Sequence, residues 1–197
     1  MYMNFLAHFY LSRQTPSMII GSFLGDFIKG KQYQTFDKTI ASAILLHREI
    51  DYYTDHHPIF RQSKRRLQAE HNHYSGVILD IFYDHFLAAN WPNYSSDPLA
   101  DFADSVYLTL NQQLSLLPMR AQRVLYYMSQ HNWLVNYASL GGVRRTLQGM
   151  ESRSPYPNQM SQAVTDLDQH YDQFQQEFNE FFLDIQKHVV VWWENER

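Results

Sequence analysis

The chain has 197 residues, of which 45% are hydrophobic and 16% aromatic, enough apolar material for one domain with a sizeable core. A formal charge of −4 and a pI near 6.2 give no electrostatic reason to expect nucleic-acid binding. Cysteine is absent, which excludes disulfide scaffolds, thiolate zinc sites, iron–sulfur clusters and cysteine nucleophiles, so any metal must be held by His, Asp or Glu.

The apolar start, Met1 to Leu11, has no basic leader and no small-residue cleavage site, and does not read as a signal peptide. No window holds 18 consecutive apolar residues, since the uncharged run from Val124 to Val143 is interrupted by Ser129, Gln130, His131, Asn132, Asn136 and Ser139. The expectation is a soluble cytoplasmic protein with no membrane partner.

In chain order, the first helix is expected over Asn4 to Leu11 with Asn4 as its cap, ended by a turn from Ser12 to Pro16. A second runs from Ser17 through Leu24 and is loosened by Gly25 and Gly30, with Asp26 in the loosened part. The third, Asp37 to Asp55, places His47, Asp51 and Asp55 four apart on one stripe. Pro58 opens a basic helix from Ile59 to about His71, and an apolar helix follows from Ser75 to Ala88. After a loop at Trp91 to Pro98, helices are expected at Leu99–Leu117, Met119 to about Val135 and Tyr137–Met150, the last interrupted by Gly141 and Gly142. A long terminal helix is expected from Met160 to about Trp193. Val, Ile and Thr never alternate between turn dipeptides, so the fold class is all-α, a single-domain helical bundle over residues 1–197.

Chemistry concentrates in the first 90 residues. His8, Asp26, His47, Asp51, Asp80, Asp84 and His85 each sit in an apolar helix, and packed short helices can bring them to one point. Asp80 and Asp84 stand four apart and share a helix face. Charges buried among Val, Ile, Leu and Phe need compensation, by a metal ion or by an ordinary salt-bridge network. Imidazole and carboxylate without thiolate suit Mn²⁺, Fe²⁺ or Zn²⁺. Asp51 reads either as a ligand or as a structural partner of Arg48 or Lys64, and Asp55 as a cap before Pro58. His56, His57, His71 and His73 read as solvated, and His131 as having no ligand role. Glu70-His71-Asn72-His73 supplies only one Glu-x-x-His, where a di-iron bundle needs two.

Several stretches resemble the acyl carrier protein phosphodiesterase family: Asn4 to His8, Gly21 to Gly30, Leu46 to Asp51 with Thr54 and Asp55, and Leu79 to Leu87. Trp133 to Tyr137, Leu147 to Met150 with Arg153, and Asp166 to Tyr171 fit it as well. The resemblance implies an HD-domain-like helical fold and Mn²⁺-assisted removal of the 4′-phosphopantetheine group from holo acyl carrier protein. It implies His47, Asp80, Asp84 and Asp26 as metal ligands, with His8 and His85 as further ligands or as groups orienting them. Arg48 and Lys29 would neutralise the phosphodiester. The pair Asp84-His85 has aspartate first, unlike the ordinary HD order, so ligand order does not carry over.

An acidic carrier protein calls for a basic surface. Arg61, Lys64 and Arg65 lie at i, i+3 and i+4 on one helix face, which Lys29 and Lys31 can extend, although a plain solvated face has the same pattern. Two further readings share parts of this evidence: a metal-dependent hydrolase of a nucleotide or other small phosphodiester, and a non-catalytic helical interaction protein.

Overall fold

The computed structural model describes residues 5–12 and 15–196, so the expected cap Asn4 lies outside the described residues. The chain opens with α1 (Phe5–Leu11) and α2 (Pro16–Leu24), the latter started by Pro16, whose missing N–H costs nothing in a first helical turn. A 3₁₀ stretch (Gly30–Thr35) leads to α3 (Lys38–His56), capped by Asp37, whose carboxylate accepts from the amides of Thr39 and Ile40 at 2.9 and 3.1 Å. Pro58 begins α4 (Pro58–His71).

The axis of the molecule is α5 (Ser75–Ala89), buried on nearly every side except at Val77 and Ala89. A helix that is apolar all round must be enclosed, and α1, α4 and the terminal helix enclose it. The chain continues through α6 (Leu99–Gln112), α7 (Met119–Gln130), the single turn α8 (Trp133–Asn136), α9 (Leu140–Arg153), α10 (Ala163–Gln169) and α11 (Tyr171–Asn195). No strand occurs among the described residues, and the expected all-α architecture holds.

Several boundaries differ from expectation, among them that of the helix expected over Leu99–Leu117, which ends at Gln112 and is followed by a 3₁₀ turn at Leu114–Leu116. The run beginning at Met119 ends at Gln130, because Asn132 takes the left-handed conformation (φ 42°) and turns the chain before α8. Gly141 and Gly142 do not interrupt a helix; they lie in the first turn of α9, where Ser139 caps the amide of Gly142. Any Cβ at Gly142 would collide with the Asn136 carbonyl, so the glycine permits a close backbone approach. The single terminal helix is divided at His170, which lets α10 lie across α4 with the Asp166 carboxylate 2.8 Å from His71 Nε2.

The stripe Phe174, Phe178, Phe181, Phe182, Ile185 and Val189 on α11 has helical spacing and is buried against α3, α4 and α5. Where α11 crosses α4, Arg66 forks both oxygens of Glu177 at 2.7 and 2.8 Å, and Ser63 and Gln62 donate to the same carboxylate. The α2–α3 crossing is equally close: a Cβ at Gly21 would overlap Ala43 and lie 2.5 Å from the Ile40 carbonyl oxygen.

Candidate metal centre

Three helices deliver the cluster that this packing creates. His47 and Asp51 are one turn apart on α3, and their side chains meet, with Nε2 3.4 Å from Oδ2. His8, on α1, stacks its ring on that of His47 at 3.8 Å between centroids and points its own Nε2 at Asp51 Oδ1, 3.1 Å away. Asp26, just beyond the end of α2, brings Oδ1 to 3.9 Å from His47 Nε2. Gly25 makes this possible, because the His47 ring lies where a Cβ of residue 25 would be.

One ligand atom from each of His8, His47 and Asp51 lies within 4.8 Å of the others, so the group could hold a metal ion. The hydrogen-bond inventory agrees. Both ring nitrogens of His47 and Nδ1 of His8 are buried with no hydrogen-bond partner. Each such orphan costs about 1–3 kcal/mol, and a cation held between the Nε2 atoms would relieve the one at His47 Nε2. The donor set, two imidazoles and one or two carboxylates, suits Mn²⁺, Fe²⁺ or Zn²⁺.

The electrostatics suit His8 and Asp51 to ligation, whereas the raised pKa of His47 favours its protonated form, whose proton a cation would have to displace. Burial, reinforced by the neighbouring charge of His47, pushes His8 down to about 4, so its imidazole is neutral and able to ligate at neutral pH. Burial alone would lower His47 as well, but Asp51 and then Asp26 outweigh it and raise the pKa. The same two imidazoles overcome the burial of Asp51 and hold its carboxyl well below the ordinary range. Burial lifts Asp26 to about 6, opposed by His47 and by the more distant Arg120.

Other residues singled out in the sequence lie elsewhere. Asp84 faces the start of α1, where its two oxygens accept from the backbone amides of Leu6 and Ala7 at 3.0 and 2.9 Å. Its burial pushes the pKa up to about 8, against the pull of those amides. Asp84 thus holds the helix that carries His8, and its lone pairs are turned away from the cluster. Asp80, one turn earlier, is buried beside a cavity of about 10 Å³ shared with Thr54, and its Oδ2 has no partner. Burial and the nearby charges of Asp51 and Asp55 raise its pKa far above the usual carboxylate range. Like Asp26, it is not among the three residues whose ligand atoms lie within 4.8 Å of one another, although the charges of Asp51 and Asp26 reach it.

Arg48 follows His47 by one residue and projects from a different side of α3. It donates to the carbonyls of Ile28 and Gly30, both at 2.8 Å, and covers the Tyr33 ring. It therefore secures the loop after Asp26. Lys29 is exposed on that loop. His85 uses both ring nitrogens away from the cluster, Nδ1 with the Tyr137 carbonyl at 2.7 Å and Nε2 with the Tyr171 hydroxyl at 3.0 Å. On α4, Arg61 donates to the Asp55 carbonyl, Arg65 is exposed and Lys64 is half-buried.

Sequence reasoning left Asp51 undecided, although its i, i+4 relation to His47 was the available signal. His57 and His71, expected in solvent, are buried next to Asp184 and Asp166, respectively. Polar sequence neighbours do not reveal which distant helix supplies an acid. His56, His73 and His131 are exposed.

Fold and cluster together define an all-α protein with a buried His–Asp centre suited to a divalent cation, and no helix among the described residues is long and apolar enough to cross a membrane. The family model described as "Acyl carrier protein phosphodiesterase" matches residues 3–185. An acyl carrier protein phosphodiesterase of Yersinia enterocolitica is 32% identical over 181 residues, covering 91% of this chain and 94% of the relative. Its counterparts in Escherichia coli O139:H28 and in the K12 strain DH10B are 33% identical over 184 residues, with the same coverage. No solved structure matches. The chain belongs to the acyl carrier protein phosphodiesterase family.

Proposed function

We propose that the protein hydrolyses the phosphodiester joining 4′-phosphopantetheine to the serine of holo acyl carrier protein, using a divalent cation, Mn²⁺ by preference, held by His8, His47 and Asp51 with Asp26 as a further carboxylate. Water's oxygen ends on phosphorus, the P–O bond to serine breaks, and the serine oxygen leaves as a hydroxyl. A cation in this position supplies Lewis acidity and lowers the pKa of a nearby water towards neutrality.

The observation that carries the reading is the meeting of two buried imidazoles, His8 and His47, on the Asp51 carboxylate, with His47 Nε2 left without a hydrogen-bond partner, in a chain whose relatives are named for this activity. The residues around the centre divide the remaining work. Neutral His8 presents Nε2 as a donor atom, and its stacking on His47 keeps both rings parallel. Ionised Asp51 balances the cation's charge. Arg48 keeps the loop from Asp26 to Gly30 against α3, so that Asp26 stays within reach of His47 and Lys29 stays exposed on the same loop, where its ammonium can meet the phosphodiester. Asp84 anchors the first turn of α1 and so sets the position of His8.

Incubation of the purified protein with holo carrier protein and Mn²⁺, followed by intact mass of the carrier, tests the reading. Loss of the phosphopantetheine mass, prevented by a chelator, is the expected result. An unchanged carrier, with a free nucleotide diester cleaved instead, would replace it with the small-phosphodiester reading.

A further inference from the structure

A long part of the chain lacks acidic residues altogether. Between Asp104 and Glu151 there is no Asp or Glu, yet Arg120, Arg123, Arg144 and Arg145 fall within it and Arg153 just after it, in a protein whose overall charge is −4. These residues lie on α7 and α9, and all five are exposed. Among the described residues, no carboxylate lies within ion-pair distance of Arg123, Arg144, Arg145 or Arg153. On α4, Arg66 is neutralised by Glu177 and Arg61 is turned to a carbonyl, while Lys64 and Arg65 likewise have no carboxylate within ion-pair distance among the described residues.

The apolar residues of the same face are equally telling. Met119, Tyr126 and Tyr127 of α7 are 75%, 60% and 48% exposed. Arginine, tyrosine and methionine are enriched where proteins meet partners, and lysine, absent from residues 105–153, is depleted there. Between α7, α8 and α9 this face dips into a cavity of about 420 Å³ lined by Tyr127, Trp133, Arg145 and Arg153. The Arg153 guanidinium lies over the Trp133 ring at 6.0 Å, and Arg145 is oriented by a 3.2 Å bond to Asn136. Two guanidiniums fixed at the wall of an aromatic recess present a fork that matches a carboxylate.

We propose that the arginine and tyrosine face of α7–α9 is the docking surface for the acidic carrier protein, with the Trp133–Arg145–Arg153 recess receiving one of its carboxylate side chains. This inference rests on the proposed function for the identity of the partner. It moves the docking site from the α4 stripe of Arg61, Lys64 and Arg65 to a face where exposed aromatic side chains and a recess lie beside the arginines.

The test measures the dissociation constant of fluorescently labelled holo carrier protein for the full-length wild type, for Arg123→Glu with Arg145→Glu, and for Arg61→Glu with Lys64→Glu. Melting temperatures show whether each variant is folded. The α7–α9 pair is expected to weaken binding at least about tenfold and to flatten its salt dependence, while the α4 pair changes it less. Unchanged binding in the α7–α9 pair, a larger loss in the α4 pair, absence of any binding by the wild type, or tighter binding of an oligonucleotide than of the carrier would each overturn the proposal. Turnover is scored separately: wild-type binding at α7–α9 without loss of phosphopantetheine would refute the proposed reaction and leave the docking surface standing.

Discussion

Replacing Gly25 with alanine perturbs the metal centre without touching a ligand. The residue is in right-handed helical conformation (φ −50°, ψ −39°), which alanine accepts, and helix propensity alone would favour the change by about 1 kcal/mol. The new methyl group would, however, overlap the His47 ring and lie 2.6 Å from its Cβ. Carbon atoms in ordinary contact are about 3.5 Å apart, so ring or helix must move by about 1 Å. Overpacking of this kind costs about 1–3 kcal/mol, which leaves a stability loss of about 0–2 kcal/mol after the propensity gain. The effect on function should be larger, because a displacement of about 1 Å at a reacting centre costs about 10²-fold. Isothermal titration with Mn²⁺ and intact mass of the carrier read the two effects. Gly76→Ala is the control, since its methyl would meet only the Lys64 side chain at 3.4 Å. Gly25→Ala with wild-type Mn²⁺ affinity and turnover would refute the reasoning.

Three other outcomes follow from named contacts. Asp84→Asn offers one acceptor where two amides donate, so it should cost about 2 kcal/mol and lower the melting temperature by about 5 °C, with weaker Mn²⁺ binding through the displacement of α1; an unchanged melting curve would contradict its anchoring role. Arg48→Ala should release the loop at Ile28 and Gly30, raising protease cleavage there and reducing turnover, while leaving Mn²⁺ bound; loss of metal at an intact loop would give Arg48 a different role. Glu177→Gln tests a pH effect. Burial acts to raise the Glu177 carboxyl, but its bonds to Arg66, Ser63 and Gln62 hold it below the ordinary glutamate value. A depressed folded pKa contributes stability above the unfolded value, lost as pH falls through the folded one. The variant should therefore be about 2 kcal/mol less stable at pH 7 and approach the wild type below about pH 4, as read by urea unfolding at each pH. A difference independent of pH would contradict this assignment.

Local signals were enough for most helices: Pro58 as the start of α4 and the helical spacing of the apolar positions in α3. The division at His170 was not legible, since no breaker lies between Asp166 and Tyr171 and the bend follows from the seat of α10 on α4. In the centre, the family motifs indicated His8, Asp26 and His47. Spacing put Asp80 and Asp84 on one face but could not say what packs against it, and the start of α1 proved to face Asp84. The bonds of Arg48 were hidden for the same reason: adjacency to His47 in sequence means a rotation of about 100° around the helix, towards the 28–30 loop.

Anomalous diffraction above the manganese edge, from crystals grown with Mn²⁺, tests the central claim most directly. The account predicts one strong peak between His8 Nε2, His47 Nε2 and the Asp51 carboxylate, with Asp26 alongside. A peak at Asp80 or Asp84, or at the Glu70–His71–Asp166 group with nothing at His47, would contradict it.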